Sequence, residues 1–538
     1  MNYRRRALEV RVLNALKQAP AVFLSGPRQA GKSTLARHLA REGWHADYVT
    51  FDDITMLAAA ESDPQGFLRR FSGRAIVDEV QMAPSIFRAL KLFIDEIRAV
   101  EGGDANGRFL LTGSADVMAI PALSDALVGR VSTLSLYPLA AIETLVNNEP
   151  VVNGLFDQDF ATGSAARSKR DLRDALPLAE WVAMATFPQI SGVSRQTSTT
   201  WFDNYLSALL QRDIRQLAEI EKFPALPNIV KILATRAGGL LNDSDAARDA
   251  QLNAMTYRRY RILLQQLFLI HLVPPWFRHT GKRLVKSPKL YFTDTGLLTH
   301  QLGIEIGGLK KRDPGLFGRL LENFVASELI KQLSLLSDGS LHHFRTQDGK
   351  EVDFVIERRN GALIGIEVKS KASVGESDFA GLKALKDQAG DDFHRGIVFY
   401  DGSAPVSFGD DMIALPLEFL WELNMAVTTD ADVRKASGFE GYVFWAGYGD
   451  RTRIRCLIGR ETVDDYFFNN GSERQSLGAI KKHWDVVWPI FERKILSGQI
   501  ETIDHDHGQN IIAGRHQRIR QITLQPADFG FRDFRSHT

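Results

Sequence analysis

The chain has 538 residues, with 66 Lys plus Arg against 65 Asp plus Glu, and a formal net charge of +1. Hydrophobic (44%) and charged (24%) fractions are those of a folded soluble chain, and the balance excludes both a histone-like polycation and an acidic disordered tail. A single cysteine, Cys456, excludes a disulfide framework and a cysteine-rich zinc module.

At roughly 100–200 residues per domain, the length suggests about three to five domains. Arg4, Arg5 and Arg6 are followed by Glu9, Arg11 and Lys17, which reads as an amphipathic helix and not as a secretory signal. No run approaches the roughly 18–20 uncharged apolar residues that span a bilayer. The richest, around Leu415 to Val427, contains Glu418 and Glu422. The expectation is a cytoplasmic chain with no membrane partner.

The strongest signal is Gly26-Pro27-Arg28-Gln29-Ala30-Gly31-Lys32-Ser33-Thr34, which fits the P-loop pattern at every fixed position. Ala21 to Leu24 before it reads as a buried strand, and Ser33 to Arg41 after it reads as a helix with Leu35, Ala36, Leu39 and Ala40 on one face. Gly26 and Gly31 permit turns that aim N–H groups at phosphate oxygens. Lys32 brings charge to the β- and γ-phosphates, and Ser33 offers a hydroxyl to Mg²⁺. Asp52-Asp53 end a further strand. Ala75 to Val77 is a short strand ending in Asp78-Glu79, where Asp78 would hold the Mg²⁺ shell and Glu79 would polarise the attacking water. Arg108 to Leu111 ends in Thr112-Gly113-Ser114, whose Thr112 and Ser114 would sense the γ-phosphate. Arg130, before the strand Val131 to Leu136, reads either as an arginine finger or as a surface arginine.

These motifs, with Asp63-Pro64, Val80-Gln81, Val131 and Pro138-Leu139, resemble the short AAA-type ATPase domain of a widespread bacterial and archaeal family. The resemblance runs from residue 1 to about 425. It implies that a second domain of unknown function follows, built on a restriction-endonuclease-like core.

Residues 146–200 are polar and read as a linker or insertion. From Trp201 the pattern is helical, with Tyr205, Leu209 and Leu210 inward and an Arg212-Asp213 pair that the family shares and that reads as structural. In Leu252 to Leu272, Tyr260, Leu263, Leu264 and Leu267 form one helix face, Arg258, Arg261 and Gln265 lie on another, Thr256 reads as a cap, and Tyr257 and Arg259 add aromatic and basic groups near the start. With strand-like Lys282 to Tyr291, this resembles a winged helix-turn-helix that either contacts nucleic acid or serves packing only.

The helix Gly318 to Lys331 carries Glu322. Asp353 lies on the alternating strand Glu351 to Ile356, and Glu367 and Lys369 share a face of the next strand. This resembles the PD-(D/E)XK nuclease core, in which Glu322, Asp353 and Glu367 would bind Mg²⁺ and Lys369 would orient water. Residues 438–512 read as a small α+β unit that weakly resembles a small bacterial domain of unknown function. It comprises strands Tyr442 to Trp445 and Ile454 to Ile458 and a helix Lys481 to Ile495. Residues 513–538, with Arg515, Arg518, Arg520, Arg532 and Arg535, read as a basic tail.

The expected architecture is multidomain α/β: ATPase at 1–145, linker at 146–200, helical winged-helix-like module at 201–310, restriction-endonuclease-like domain at 311–425, and the two C-terminal pieces. The expected function is Mg²⁺-dependent ATP hydrolysis that gates engagement of nucleic acid, DNA before RNA. The alternative is a nucleotide-dependent switch with a protein partner and a catalytically silent nuclease fold.

Overall fold

A computed structural model describes residues 3–100, 105–114, 129–144, 150–156, 178–214, 223–278 and 287–421. Further on it describes 428–429, 434–435, 441–448, 452–459, 480, 487, 491, 501–504 and 518–524. The chain divides into two units, one made of residues 1–156 and 171–422 and the other of the remainder.

The first unit opens with α1 (Glu9–Gln18) and a five-stranded parallel sheet: β1 (Ala21–Ser25), β2 (Asp47–Thr50), β3 (Ala75–Asp78), β4 (Phe109–Thr112) and β5 (Val131–Ser135). The spatial order is β2-β3-β4-β1-β5. β1 is central and wholly buried, because its alternate residues feed two different cores. Val22 and Leu24 pack with Val12 and Leu16 of α1 and with Leu35 and Leu39 of α2 (Lys32–Glu42). Ala21 and Phe23 pack on the other face with Phe87, Leu90 and Ile94 of α5 (Ser85–Val100), behind α3 (Ile54–Ser62) and α4 (Pro64–Arg69). Asp53 and Asp63 cap α3 and α4 by accepting backbone N–H groups.

The segment read as a linker is instead partly folded. Val151–Phe156 is a buried 3-10 turn, and in the helix Leu178–Ala183 Trp181 stacks on Trp421 at 5.7 Å. A few apolar residues in a polar stretch suffice to anchor it; 157–177 lie outside the described residues. Helices Arg195–Ala208, Leu226–Thr235, Asp243–Asp249 and Ala254–Gln266 follow. An antiparallel hairpin completes the module, β6 (Ile270–Val273) with β7 (Lys289–Phe292), and Leu240 bridges to Lys289. The helix expected over Leu252 to Leu272 ends at Gln266, and its cap is Asn253, whose side chain accepts from Thr256 N, not Thr256 itself.

A mixed six-stranded sheet comes next: β8 (Ser340–Arg345), β9 (Glu351–Glu357), β10 (Leu363–Lys369), β11 (Phe393–Tyr400), β12 (Val406–Ser407) and β13 (Met412–Pro416), in the order β12-β13-β11-β10-β9-β8. The helix Ala380–Ala389 lies so close to β9 that a Cβ on Gly381 would sit 1.9 Å from the Glu351 carbonyl oxygen.

The second unit holds its own sheet of β14 (Thr428–Thr429), β15 (Arg434–Lys435), β16 (Gly441–Tyr448), β17 (Thr452–Gly459), β18 (Glu501–Asp504) and β19 (Arg518–Leu524). β19 runs between β17 and β18, so Arg518 and Arg520 belong to an interior strand and not to a tail. Of the helix expected at Lys481 to Ile495, Val487 and Phe491 are helical and buried, as is Ile480 just before it, and the rest lies outside the described residues, as do Arg515, Arg532 and Arg535.

One helix ties the first unit together. Pro314–Ser334 starts at Asp313, whose side chain accepts from Leu316 N, with Pro314 at its first position. Its buried polar side chains each serve backbone of another segment. Asn323 bonds both backbone groups of Phe292, Ser327 donates to Thr293 O, and Gln332 accepts from Val151 N and donates to Leu420 O. Glu328 accepts from Ala141 N at 2.7 Å and pairs with Lys331 at 3.0 Å; Lys331 donates to Leu139 O. Both charges are almost wholly enclosed. Glu328→Ala strands the Lys331 ammonium and should cost about 3–5 kcal/mol. Lys331→Met together with Glu328→Leu should cost less than the single change, as read by chemical denaturation.

Candidate functional site

The P-loop leaves the carboxyl end of β1, where a parallel sheet places ligands. Gly26 has φ +143°, and a Cβ there would lie 2.1 Å from Leu136 O, so only glycine lets the loop pass β5. Gly31 at φ +99° turns the chain into α2, whose first N–H groups open onto the loop. Arg6, buried, donates to Ala30 O at 2.7 Å and to Tyr137 O at 2.7 Å, and pairs with Glu143, which fixes the loop from behind. Lys32 folds back so that Nζ donates to Gly26 O and Pro27 O, both at 2.9 Å. Burial pulls its pKa down to about 8.

Asp78, at the end of β3, gathers hydroxyls. Ser33 Oγ donates to Oδ1 at 3.0 Å, Thr112 Oγ1 donates to the same oxygen, and Tyr48 OH donates to Oδ2. Glu79 sits in the left-handed region at φ +58°. Its carboxylate accepts from Gln81 Nε2, which also reaches Ser114 Oγ at 3.1 Å. Thus Lys32, Ser33, Asp78, Glu79, Thr112 and Ser114 are all at the carboxyl end of one sheet. The Ser33 hydroxyl and Asp78 carboxylate are hard oxygen donors suited to Mg²⁺.

Arg130 is not there. Its carbonyl accepts from Ala21 N, at the start of β1 and the opposite end of the sheet, and its guanidinium pairs with Asp95 at 2.8 Å. A residue that precedes a parallel strand stands at the amino end, so this chain's Arg130 does not reach its own P-loop. Asp53 is a helix cap, and Asp52 lies 3.5 Å from Arg212 on the surface.

Asp213 is the residue sequence reasoning undervalued. It ends a π-helical turn, Leu209–Asp213, a geometry often found at functional sites. Its Oδ1 accepts from Arg28 of the P-loop at 2.7 Å, while its buried Oδ2 and the nearby Tyr205 hydroxyl have no hydrogen-bond partner among the described residues. Burial raises its pKa against the pull of Arg28. Its signal was the charge pair Arg212-Asp213 on an otherwise apolar helix end.

A second polar cluster forms where the long helix meets β7, β9 and β10. Glu322 and Asp353 do come together, and Glu367 pairs with Lys369 at 2.9 Å, while Asp353 Oδ2 accepts from Val368 N at 3.0 Å. The centre, however, is taken by Lys289 of β7, a residue the sequence did not single out. Its Nζ lies 2.9 Å from Glu322, 2.6 Å from Glu351 and 3.2 Å from Asp353. Tyr291, two residues on and on the same face, donates to Glu322 at 2.6 Å. Burial and the Asp353 charge push Glu367 up to about 8, against Lys369, and raise Glu322 as well. Among the described residues no group of three or more His, Cys, Asp or Glu is disposed to hold a metal ion.

On the helix Ala254–Gln266, Arg258 and Arg259 are exposed. Arg261 is buried and paired with Asp243 at 2.9 Å, so it is not part of an outward basic face. It stands four residues after Tyr257 and three before Leu264, in the inward stripe.

Residues 18–145 match the family described as an AAA domain. Residues 177–306 and 317–420 match two domains of unknown function, DUF8612 and DUF4143. The uncharacterized proteins Mb2031c of Mycobacterium bovis and Rv2008c of Mycobacterium tuberculosis are each 32% identical over 421 residues, 77% of this chain and 84% of theirs. The chain belongs to their family. It is therefore an AAA-type P-loop protein in its first 145 residues, and family membership extends through the second sheet. Among solved structures, the Walker-type ATPase PABY2304 of Pyrococcus abyssi is 13% identical, with a TM-score of 0.30, covering 55% of this chain and 94% of that one. A Thermotoga maritima RuvB variant is 17% identical with a TM-score of 0.21, covering 52% and 94%.

Between the ordinary carboxyl value of 4.5 and about 8, folded Glu367 keeps a proton that the unfolded chain releases. Stability at this cluster therefore falls as pH rises through that window. Asp353→Asn removes the repelling charge, and its melting temperature should decline less steeply across the same range than that of the wild type.

Proposed function

We propose that this family member is a Mg²⁺-dependent ATPase whose nucleotide state controls the helical module beyond residue 195, and that this module engages DNA. What carries the reading is the gathering of Lys32, Ser33, Asp78 and Thr112 at the carboxyl end of one parallel sheet. Gly26 to Thr34 would wrap the phosphates with backbone N–H groups. Lys32 would leave the carbonyls of Gly26 and Pro27 for the β- and γ-phosphate oxygens. Ser33 and Asp78 would hold Mg²⁺, which neutralises phosphate charge when bound. Thr112 and Tyr48 would keep the Asp78 carboxylate oriented, and Glu79, released by Gln81, would accept a proton from the attacking water. Arg28 is the link outward. A triphosphate competes with Asp213 for its guanidinium, and an Asp213 left buried without a cation is unstable. The π-helical turn would then shift, moving the helices attached to it.

The exposed Arg258 and Arg259, next to a hairpin in the order of a winged helix, support a DNA contact in which phosphate charge supplies most of the affinity. The arrangement of Glu322, Asp353, Glu367 and Lys369 on a helix and two adjacent strands supports a restriction-endonuclease-like core. A second reading, a switch with a protein partner and a catalytically silent nuclease fold, is favoured by the position of Lys289 among the carboxylates.

Lys32→Ala should lower Mg²⁺-dependent ATP hydrolysis by roughly 10²-fold or more. Double-stranded DNA should stimulate the wild type; hydrolysis indifferent to DNA would favour the protein-partner reading. Asp213→Asn should tighten ATP binding by roughly 5-fold or more and abolish the response to DNA, measured by calorimetry and coupled assay. Because free Lys32 loses its proton above about pH 8, ATP affinity should decline there with proton uptake on binding, seen as a buffer-dependent binding enthalpy.

A further inference from the structure

The restriction-endonuclease-like arrangement implies a divalent metal among Glu322, Asp353 and Glu367, and two of those three carboxylates, Glu322 and Asp353, already face a resident ammonium. An ammonium group has three N–H donors. Those of Lys289 face three carboxylates, from the long helix and from two same-face positions of β9, at 2.9, 2.6 and 3.2 Å. Lys289 is only 3% exposed, on a strand whose four residues are all buried, so its head group cannot swing into solvent without moving the hairpin. The strand is itself pinned: Leu290 O accepts from Gly238 N at 2.8 Å, and the neighbouring Phe292 backbone is bonded on both sides to Asn323 of the long helix. Magnesium needs oxygen ligands at about 2.0–2.1 Å in near-octahedral array. An ion drawn to the same oxygens would have to occupy the place of the Lys289 nitrogen.

We propose that Lys289 is the resident cation of this site, so that its ammonium and a divalent metal ion are mutually exclusive occupants and the site is closed to metal while the β6–β7 hairpin stays docked. The lysine comes from the hairpin of the helical module and the carboxylates from the long helix and the sheet beyond it, so the contact is also an ionic lock between them. The same side chain that compensates the half-buried carboxylates withholds the ion that phosphodiester chemistry on such a fold requires. Tyr291 completes the closure by donating to Glu322 beside the ammonium. This inference does not depend on the ATPase reading, because its test uses nucleotide-free protein and no hydrolysis.

The test is Mn²⁺ binding to the full chain, followed by electron paramagnetic resonance. Only ions lost on Asp353→Asn are counted, which sets aside Mn²⁺ held at Ser33 and Asp78. The wild type should show no such ion. Lys289→Met, which keeps the stem and removes the charge, should gain a single Mn²⁺ per chain that the Lys289→Met/Asp353→Asn double variant loses. If Lys289→Met does not fold, Lys289→Gln takes its place. A wild-type Mn²⁺ signal that Asp353→Asn removes would overturn the proposal, and so would a folded neutral variant that gains no ion.

Discussion

A buried polar side chain is tolerated only if every group on it finds a partner, and the long helix Pro314–Ser334 applies that rule to an entire architecture. Asn323, Ser327, Glu328, Lys331 and Gln332 are all enclosed, and their partners are backbone groups near 292, 141, 139, 151 and 420. An apolar helix would pack in many rotational settings. This one has a single setting in which five polar groups are satisfied together. The helix therefore specifies where the ATPase sheet ends, where the hairpin docks and where the second sheet begins.

Two charge arrangements follow from that placement and have opposite characters. Around the P-loop the positive groups are pre-engaged but exchangeable. Lys32 rests on two carbonyls and Arg28 on Asp213, and both partners are weaker than a polyphosphate. Around Lys289 the positive group is matched by three carboxylates in a closed setting and has nothing better to move to. The first arrangement is built to be displaced by a ligand, and the second resists displacement.

The local parts of this design were legible in the sequence, and the long-range parts were not. The P-loop is contiguous, so residue types and spacing alone located it, and Asp78-Glu79 and Thr112 to Ser114 followed because each ends a short apolar run. Asp353 and Glu367 were singled out because strand alternation sorts faces, and Glu322 because it is a carboxylate on an otherwise apolar helix face. Lys289 escaped because a lysine on a strand usually faces solvent, and its partners lie 33 and 64 positions away. Asp213 was read as merely structural because its partner Arg28 is 185 positions distant. The misreadings of Arg130 and Arg261 had local remedies: strand polarity places the first at the wrong end of the sheet, and the Tyr257–Leu264 stripe draws the second inward. The basic C-terminal stretch misled because its strand is defined by pairing with β17 and β18 and not by any alternation of its own.

The distances along the chain also set an order of assembly. β1 pairs with β4 and β5, so the strand that launches the P-loop waits for residues 109 and 131 before it has neighbours on either side. The turn that closes this module has its most remote fastening at Ala141 N, which donates to Glu328, 187 residues further on. Bringing such remote segments together costs loop entropy before it returns any contact energy, which slows folding. During synthesis the nucleotide-binding sheet would emerge with its final fastening missing, held by α1 through α5 alone, and the long helix would complete it from outside. A fragment cut at the end of the AAA domain would leave Leu139 O and Ala141 N facing water where the finished chain places Lys331 and Glu328.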